Sequence, residues 1–149
     1  MPVEIGVTLA VFLVVGVLAL RLGGPPEQYA AGIVVGWLLV SLAYQAAVGP
    51  ASFGSVDPAR FALDTAELVA ISALALQANR MWPLWAAAAQ LICVSGHIAA
   101  FIEPGGMRRA YWVMTQMPPF IQVLALLLGA VAHAERWKRI GPYRSWRYR

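Results

Sequence analysis

The sequence carries little charge for its length. Only 12% of its 149 residues are Asp, Glu, Lys or Arg, whereas about a quarter of the residues of a soluble domain are charged. Hydrophobic residues make up 60% of the chain, and they lie in blocks of roughly the length that a bilayer requires. These proportions exclude a soluble enzyme and a disordered chain, and they predict a polytopic membrane protein.

Cysteine is almost absent as well. The single cysteine, Cys93, lies inside an apolar block, so an intrachain disulfide and a cysteine-based metal cluster are both excluded. The sequence also lacks the P-loop, GxSxG, HExxH and CxxC patterns, and no segment between the apolar blocks is long enough for a cofactor domain. We therefore expect no enzymatic activity and no metal site.

The apolar blocks predict an all-α bundle of about five transmembrane helices. No Lys or Arg precedes the first block, so we interpret it as a retained helix rather than a secretory signal. The predicted spans are residues 4–22, 29–48, 61–79, 84–102 and 110–134. Only Arg80 to Pro83 separates the third span from the fourth, which predicts a tight antiparallel hairpin. Residues 1–135 form the predicted transmembrane domain, and residues 136–149 form a tail.

The basic residues between the spans predict an orientation. Arg21, Arg80 and the tail fall on one side of the predicted membrane, and Arg60, Arg108 and Arg109 fall on the other. Because basic residues concentrate in cytoplasmic segments, the C-terminus is expected in the cytoplasm and the N-terminus outside. The excess of Arg over Lys and the abundance of Ala are typical of GC-rich bacterial genomes, so we expect a bacterial inner membrane.

Two carboxylates and a histidine lie within the predicted third and fourth spans. Asp64 and Glu67 are three residues apart and share a helix face, and the hairpin places His97 of the next span between them in depth. Charges are costly inside a membrane. One interpretation of these three residues is a structural clamp, in which the Arg60 charge offsets that of Asp64. The other is a proton or cation site, because histidine beside carboxylates can titrate near neutral pH.

The two histidines of the chain raise the question of haem. His133 lies near the far end of the fifth span, so it is separated from His97 by on the order of 20 Å along the membrane normal. One haem iron cannot be bound by both within a single subunit. We predict no cofactor. A haem or quinone module at an oligomer interface remains a third alternative.

Small residues at helical spacing are typical of close helix packing in membranes. They occur in two spans: Gly32 and Gly36 in the second, and Ala89, Cys93 and Gly96 in the fourth. One of these faces can pack within the bundle and leave the other for self-association or for a partner subunit.

Pro118 and Pro119 interrupt the fifth span. Proline removes a backbone donor and clashes with the preceding turn, so we expect a kink or a helix break at this point. The break belongs either to a bent packing helix or to the lining of a ligand or ion site.

The tail alternates basic with aromatic residues. Its basic residues are Arg136, Lys138, Arg139, Arg144, Arg147 and Arg149. Such residues are attracted to anionic lipid, so we expect a membrane anchor. Docking on an acidic protein surface is the alternative, and nucleic acid is not an expected partner.

Together these patterns favour a small structural or interaction protein of the membrane. It would self-assemble into a homo-oligomer or serve as an accessory subunit of a larger complex. The alternative is a small proton- or cation-coupled transporter or channel that uses Asp64, Glu67 and His97.

Overall fold

The computed structural model describes residues 2–50, 55–103 and 108–147. Within these ranges the chain is all-helical, and its six helices are α1 Pro2–Leu22, α2 Pro25–Val48, α3 Pro58–Gln77, α4 Trp82–Ile102, α5 Arg108–Gln116 and α6 Pro118–Ile140. The only extended pairing in the described residues is an isolated bridge between Ala78 and Trp146.

Local sequence explains where the helices begin. Prolines occupy the first turns of α2, α3, α4 and α6. Backbone N–H groups in the first turn make no hydrogen bond within the helix, so proline, which lacks this group, costs nothing there. The Asp57 side chain caps α3 by accepting a hydrogen bond from the Ala59 amide at 2.9 Å. With Pro25 and Pro26 in its first turn, α2 begins at Pro25, earlier than the predicted boundary at residue 29.

The predicted fifth span consists of two helices. α5 ends at Gln116 and α6 begins at Pro118, so the interruption lies at Met117, directly before the two prolines. Pro119 has no N–H, so it cannot donate a hydrogen bond to the backbone carbonyl of Thr115. The Cys93 thiol lies 3.9 Å from this carbonyl oxygen. Beyond the break, α6 continues past residue 135 to Ile140, so the first part of the predicted tail is helical.

Four helical segments are long and apolar enough to cross a membrane. They are residues 5–22 of α1, all of α2, all of α4, and the run 108–140 formed by α5 and α6. The third predicted span, α3, is not among them because it contains Arg60, Asp64 and Glu67. The composition of the helices thus supports four of the five spans.

The distribution of polar residues is the reverse of that in a soluble protein. Large apolar side chains such as Val14, Leu76 and Leu128 are more than half exposed, while several polar side chains are buried. The buried polar residues are Glu27, Asp64, Glu67, Gln90, His97, Thr115, Gln122 and His133. An apolar exterior of this extent is unusual for a soluble monomer and is compatible with a membrane protein.

The small residues of α4 lie at the centre of the bundle. Ala89, Cys93 and Gly96 are buried, and α4 packs against α3, α5 and α6. A Cβ atom at Gly96 would lie 2.8 Å from Met114 of α5, so glycine permits this close approach. A Cβ atom at Gly32 or Gly36 of α2 would meet no atom of the described residues within 4 Å. The α4 face therefore serves the bundle, and the α2 face is open.

Candidate functional site: a buried carboxylate–histidine cluster

Asp64 of α3 and His97 of α4 meet in the interior of the bundle. The His97 Nε2 atom lies 2.7 Å from the Asp64 Oδ2 atom. Both residues are buried, with exposed fractions of 7% and 3%. The short link between α3 and α4 brings the two helices side by side, so a residue near the start of α3 faces one near the end of α4.

Three further side chains complete the group, which we call the Asp64 cluster. The Trp37 indole donates to Asp64 Oδ1 at 2.9 Å, and the Tyr111 hydroxyl lies 2.9 Å from His97 Nδ1. The Cys93 thiol lies 3.5 Å from Asp64 Oδ2. These contacts, which come from residues of α2, α4 and α5, fix the orientation of the Asp64 carboxylate and the His97 imidazole.

Glu67 lies one turn along the same face of α3 as Asp64. It is 4% exposed, and neither of its carboxylate oxygens has a hydrogen-bond partner among the described residues. It does not join the hydrogen bonds of the Asp64 cluster. Burial of an unpaired carboxylate is costly, so this residue favours a proton or a cation as its partner.

Two glutamines extend the polar interior from the Asp64 cluster toward α6. Gln90 donates from Nε2 to the backbone carbonyl of Asp64 at 3.0 Å, and Gln122 donates to Gln90 Oε1 at 2.9 Å. Both side chains are fully buried. The Oε1 atom of Gln122 has no partner among the described residues, so it remains able to accept a hydrogen bond.

A cavity of about 310 Å³ reaches the Asp64 cluster. Its polar lining consists of Thr8, Trp37, Ser41, Tyr44, Gln45, Asp57, Arg60, Asp64, His97, Tyr111, Thr115 and Gln116. Pro119 and Phe120, at the start of α6, line it as well. The break between α5 and α6 is therefore part of the cavity wall.

Charged residues at the start of α3 line one end of this cavity. Arg60 pairs with Asp57, with 3.3 Å between Nε and Oδ2, and it lies over the Tyr44 ring; it does not pair with Asp64 as the clamp interpretation supposed. Burial alone would raise the pKa of Asp57. Hydrogen bonds from Tyr44 and from backbone amides, together with the Arg60 charge, outweigh burial and lower that pKa.

A second polar group, the Glu27 network, lies at the opposite end of the bundle. Glu27 is fully buried. It accepts hydrogen bonds from the Gly24 amide at 2.9 Å, from the Trp82 indole at 2.9 Å and from Arg80 Nε at 3.3 Å. His133 joins this group, with its Nδ1 atom 3.1 Å from Arg80 Nη2.

The two histidines thus lie in different groups. The His97 ring makes edge contacts with Phe61 and Tyr111, with ring centroids 5.8 Å and 5.5 Å away, and both of its nitrogens lie within hydrogen-bond distance of neighbouring side chains. His133 Nδ1 lies 2.7 Å from the Tyr143 hydroxyl. The arrangement gives no support to a haem shared by the two histidines.

Residues 145–147 fold back on the link between α3 and α4. The Asn79 amide donates to the Ser145 carbonyl, and the Arg147 amide donates to the Gln77 carbonyl, both at 2.9 Å. Among the predicted anchoring residues, Arg136, Lys138 and Arg139 are exposed on α6, and Arg144 and Arg147 are exposed after it. Arg149 lies outside the described residues.

Sequence reasoning did not single out Glu27, Trp37 or Tyr111. Glu27 lies in a segment rich in glycine and proline that was assigned to a loop. Trp37 and Tyr111 lie within the predicted second and fifth spans. The one signal available was that buried indole and phenol groups require a polar partner, but the sequence does not identify that partner.

Comparisons of the chain with protein-family models, with curated proteins and with solved structures find no match.

Proposed function

We propose that the protein is a small transporter of the bacterial inner membrane that binds a proton or a small cation at the Asp64 cluster. The observation that carries the proposal is the cavity whose lining includes a buried carboxylate and a buried histidine in contact with each other. Ionisable residues inside membrane proteins commonly mark ion pathways. The unpaired carboxylate of Glu67 adds to the same argument.

In this proposal α3 crosses the membrane despite its charges. Asp64 and Glu67 are buried inside the bundle, and Arg60 is paired with Asp57 near the start of the helix. None of the three needs to face hydrocarbon. The cavity then opens toward the outside, and the C-terminal segment with its exposed arginines meets anionic lipid at the cytoplasmic surface.

The test is ion flux into liposomes that contain the purified protein. A pH-sensitive dye inside the vesicles reports proton movement when a gradient and a membrane potential are applied. We expect Asp64→Asn and His97→Gln to abolish the flux that the wild-type protein supports. Glu135→Gln is the matched control, because Glu135 is exposed on α6 outside the cluster.

A clear result against transport is also available. If the wild-type protein gives no flux for protons or for monovalent and divalent cations, the transport proposal fails. If Asp64→Asn leaves flux unchanged but lowers the melting temperature, the cluster is a structural clamp.

Self-assembly is the second candidate function, and a separate observation favours it. The open space beside Gly32 and Gly36 would accept the helix of a second copy of this chain, since small residues allow helices to approach closely in membranes. Native mass spectrometry then gives a multiple of 16.1 kDa. Gly32→Leu with Gly36→Leu should reduce the assembly to a monomer. Gly6→Leu is the control, because its Cβ position is also open but lies on α1.

A further inference from the structure

We infer that Asp64, Cys93 and His97 form a binding site for a divalent d-block cation of the Zn²⁺ type. The inference rests on the proposed function and deepens it by naming the class of cation. It adds Cys93 to the residues that the sequence had suggested as a cation site, and it assigns a role to a thiol that the sequence had suggested only for helix packing.

The positions of the donor atoms carry the inference. The three residues each offer one ligand atom, and these atoms all lie within 4.8 Å of one another. Tetrahedral Zn²⁺ binds oxygen, nitrogen and sulfur at about 2.0–2.3 Å, which separates its ligands by about 3.3–3.8 Å. Cys93 and Asp64 are already 3.5 Å apart. His97 and Asp64 are 2.7 Å apart, so they need only a small rearrangement.

The charge of such a site balances. A divalent ion with the Asp64 carboxylate, the Cys93 thiolate and a neutral His97 has no net charge, which suits a buried location where unbalanced charge is costly. A monovalent ion with the same ligands would leave a net negative charge. The thiolate and the imidazole also favour d-block ions over Mg²⁺ and Ca²⁺, which prefer oxygen ligands.

Tyr111 and Trp37 orient the His97 and Asp64 ligands through hydrogen bonds, as neighbouring residues usually do around a bound metal. A histidine that binds a metal through one ring nitrogen typically donates its other N–H to a neighbouring acceptor. The Tyr111 hydroxyl is placed to accept from His97 Nδ1 at 2.9 Å, and Trp37 holds Asp64 Oδ1 at 2.9 Å. Asp64 Oδ2 and His97 Nε2 face each other, so both can turn to one ion.

Proton movements accompany binding. The ion replaces the hydrogen bond between His97 Nε2 and Asp64, and the neutral ring carries its proton on Nδ1 toward Tyr111. The Cys93 thiol loses its proton to solvent, so one proton leaves for each ion bound to the neutral ring. The reaction changes no oxidation state.

Access and the fourth ligand position follow from the cavity. Asp64 and His97 both line it, so an ion in the cavity can reach these two ligands. With three protein ligands, a tetrahedral ion keeps one position for water, as open zinc sites do.

The direct test is metal content and affinity in the full-length protein, purified in detergent without a polyhistidine tag. We expect the wild-type protein to bind one Zn²⁺ per chain by elemental analysis. Co²⁺ should give a thiolate-to-cobalt absorption band in the near ultraviolet. Cys93→Ser should remove this band, and His97→Gln should lower affinity by at least about tenfold.

A matched control exists in the other buried histidine. His133→Gln should leave both the stoichiometry and the cobalt band unchanged, because His133 lies in the Glu27 network. Wild-type protein that binds no Zn²⁺ or Co²⁺ above the background of detergent alone overturns the inference. So does a cobalt band that survives in Cys93→Ser.

The single cysteine provides an independent measurement. Cys93 is the only thiol in the chain, so alkylation by a membrane-permeant maleimide, counted by intact mass, reports on this residue alone. We expect saturating Zn²⁺ to slow the alkylation at least tenfold and Mg²⁺ to have no effect. Equal rates with and without Zn²⁺ contradict the proposed ligation.

The inference and the proposed function can fail separately. If Asp64→Asn abolishes proton flux while the wild-type protein binds no d-block ion, the transport proposal stands and the metal site falls. If the protein binds Zn²⁺ through Cys93 but supports no flux of any ion, the metal site stands without transport.

Discussion

Trp82 and Glu27 are joined by a hydrogen bond of 2.9 Å between the indole nitrogen and Oε1. Trp82 begins α4, and Glu27 lies in the first turn of α2, so this bond connects helices that are distant in sequence. The same carboxylate contacts Arg80. Glu27 thus joins the start of α2 to the start of α4 and to the link between α3 and α4.

We expect Glu27→Ala to destabilise the protein strongly. Removing one partner of a buried ion pair typically costs about 3–5 kcal/mol, because the other charge is left unpaired; here the Arg80 side chain is only 9% exposed. Thermal unfolding in detergent measures the effect. Glu135→Ala, which removes an exposed carboxylate, should change the melting temperature little. Equal shifts for the two variants would contradict the structural role assigned to Glu27.

Gly129→Ala tests the contact between α6 and Trp82. A Cβ atom at Gly129 would lie 2.5 Å from the Trp82 ring, so the indole would have to move away from Glu27. Overpacking of this kind costs about 1–3 kcal/mol. Gly6→Ala is the control: its Cβ meets no described atom within 4 Å, and alanine favours helix. A Gly129→Ala variant as stable as the wild type would refute the contact.

The acid stability of the protein should depend on Asp57. Its pKa in the folded state lies below the ordinary value of about 3.9, so the stabilisation is present above that value and is lost as the pH falls through the folded pKa. We expect Asp57→Asn to show a smaller loss of melting temperature than the wild type between about pH 5 and pH 2. Parallel losses in the two proteins would show that another carboxylate is responsible.

The docking of residues 145–147 onto the α3–α4 link should depend on Trp146. Its ring packs against Tyr29, with centroids 5.8 Å apart, an interaction worth about 0.5–1.5 kcal/mol beyond the buried area. Trp146→Ala should therefore speed hydrogen exchange at the amides of Asn79 and Arg147, which bond across this contact. Trp112→Ala, at an exposed position of α5, should leave both amides protected as before.

Much of the architecture could be predicted from local sequence. Apolar blocks and proline or glycine breakers give the ends of α1 to α4 within a few residues, because proline and glycine disfavour continuation of a helix. The short link between α3 and α4 also made it possible to expect Asp64 near His97, since two helices joined by a few residues lie side by side.

Other features depend on contacts that sequence periodicity does not determine. The small residues of α4 predict a packing face, but they do not identify α5 as the helix that packs on it. The proximity of Tyr111 to His97 could therefore not be predicted. Cys93 was assigned to that face for the same reason. Two of the partners of Glu27, Arg80 and Trp82, lie more than fifty residues away in sequence, and no local signal identifies them.

The inward face of α6 limits how any ion could cross the bundle. Gln122 and His133 are both buried on this face, and eleven residues of helix separate them by about 16 Å. The residues between them on that face are Leu126, Gly129 and Ala130, which offer no polar side chain. An ion held at the Asp64 cluster would therefore meet an apolar layer on this face before the Glu27 network. Passage would require the helices to rearrange in each cycle, so the protein would turn over as a saturable carrier and show no unitary conductance in a bilayer recording.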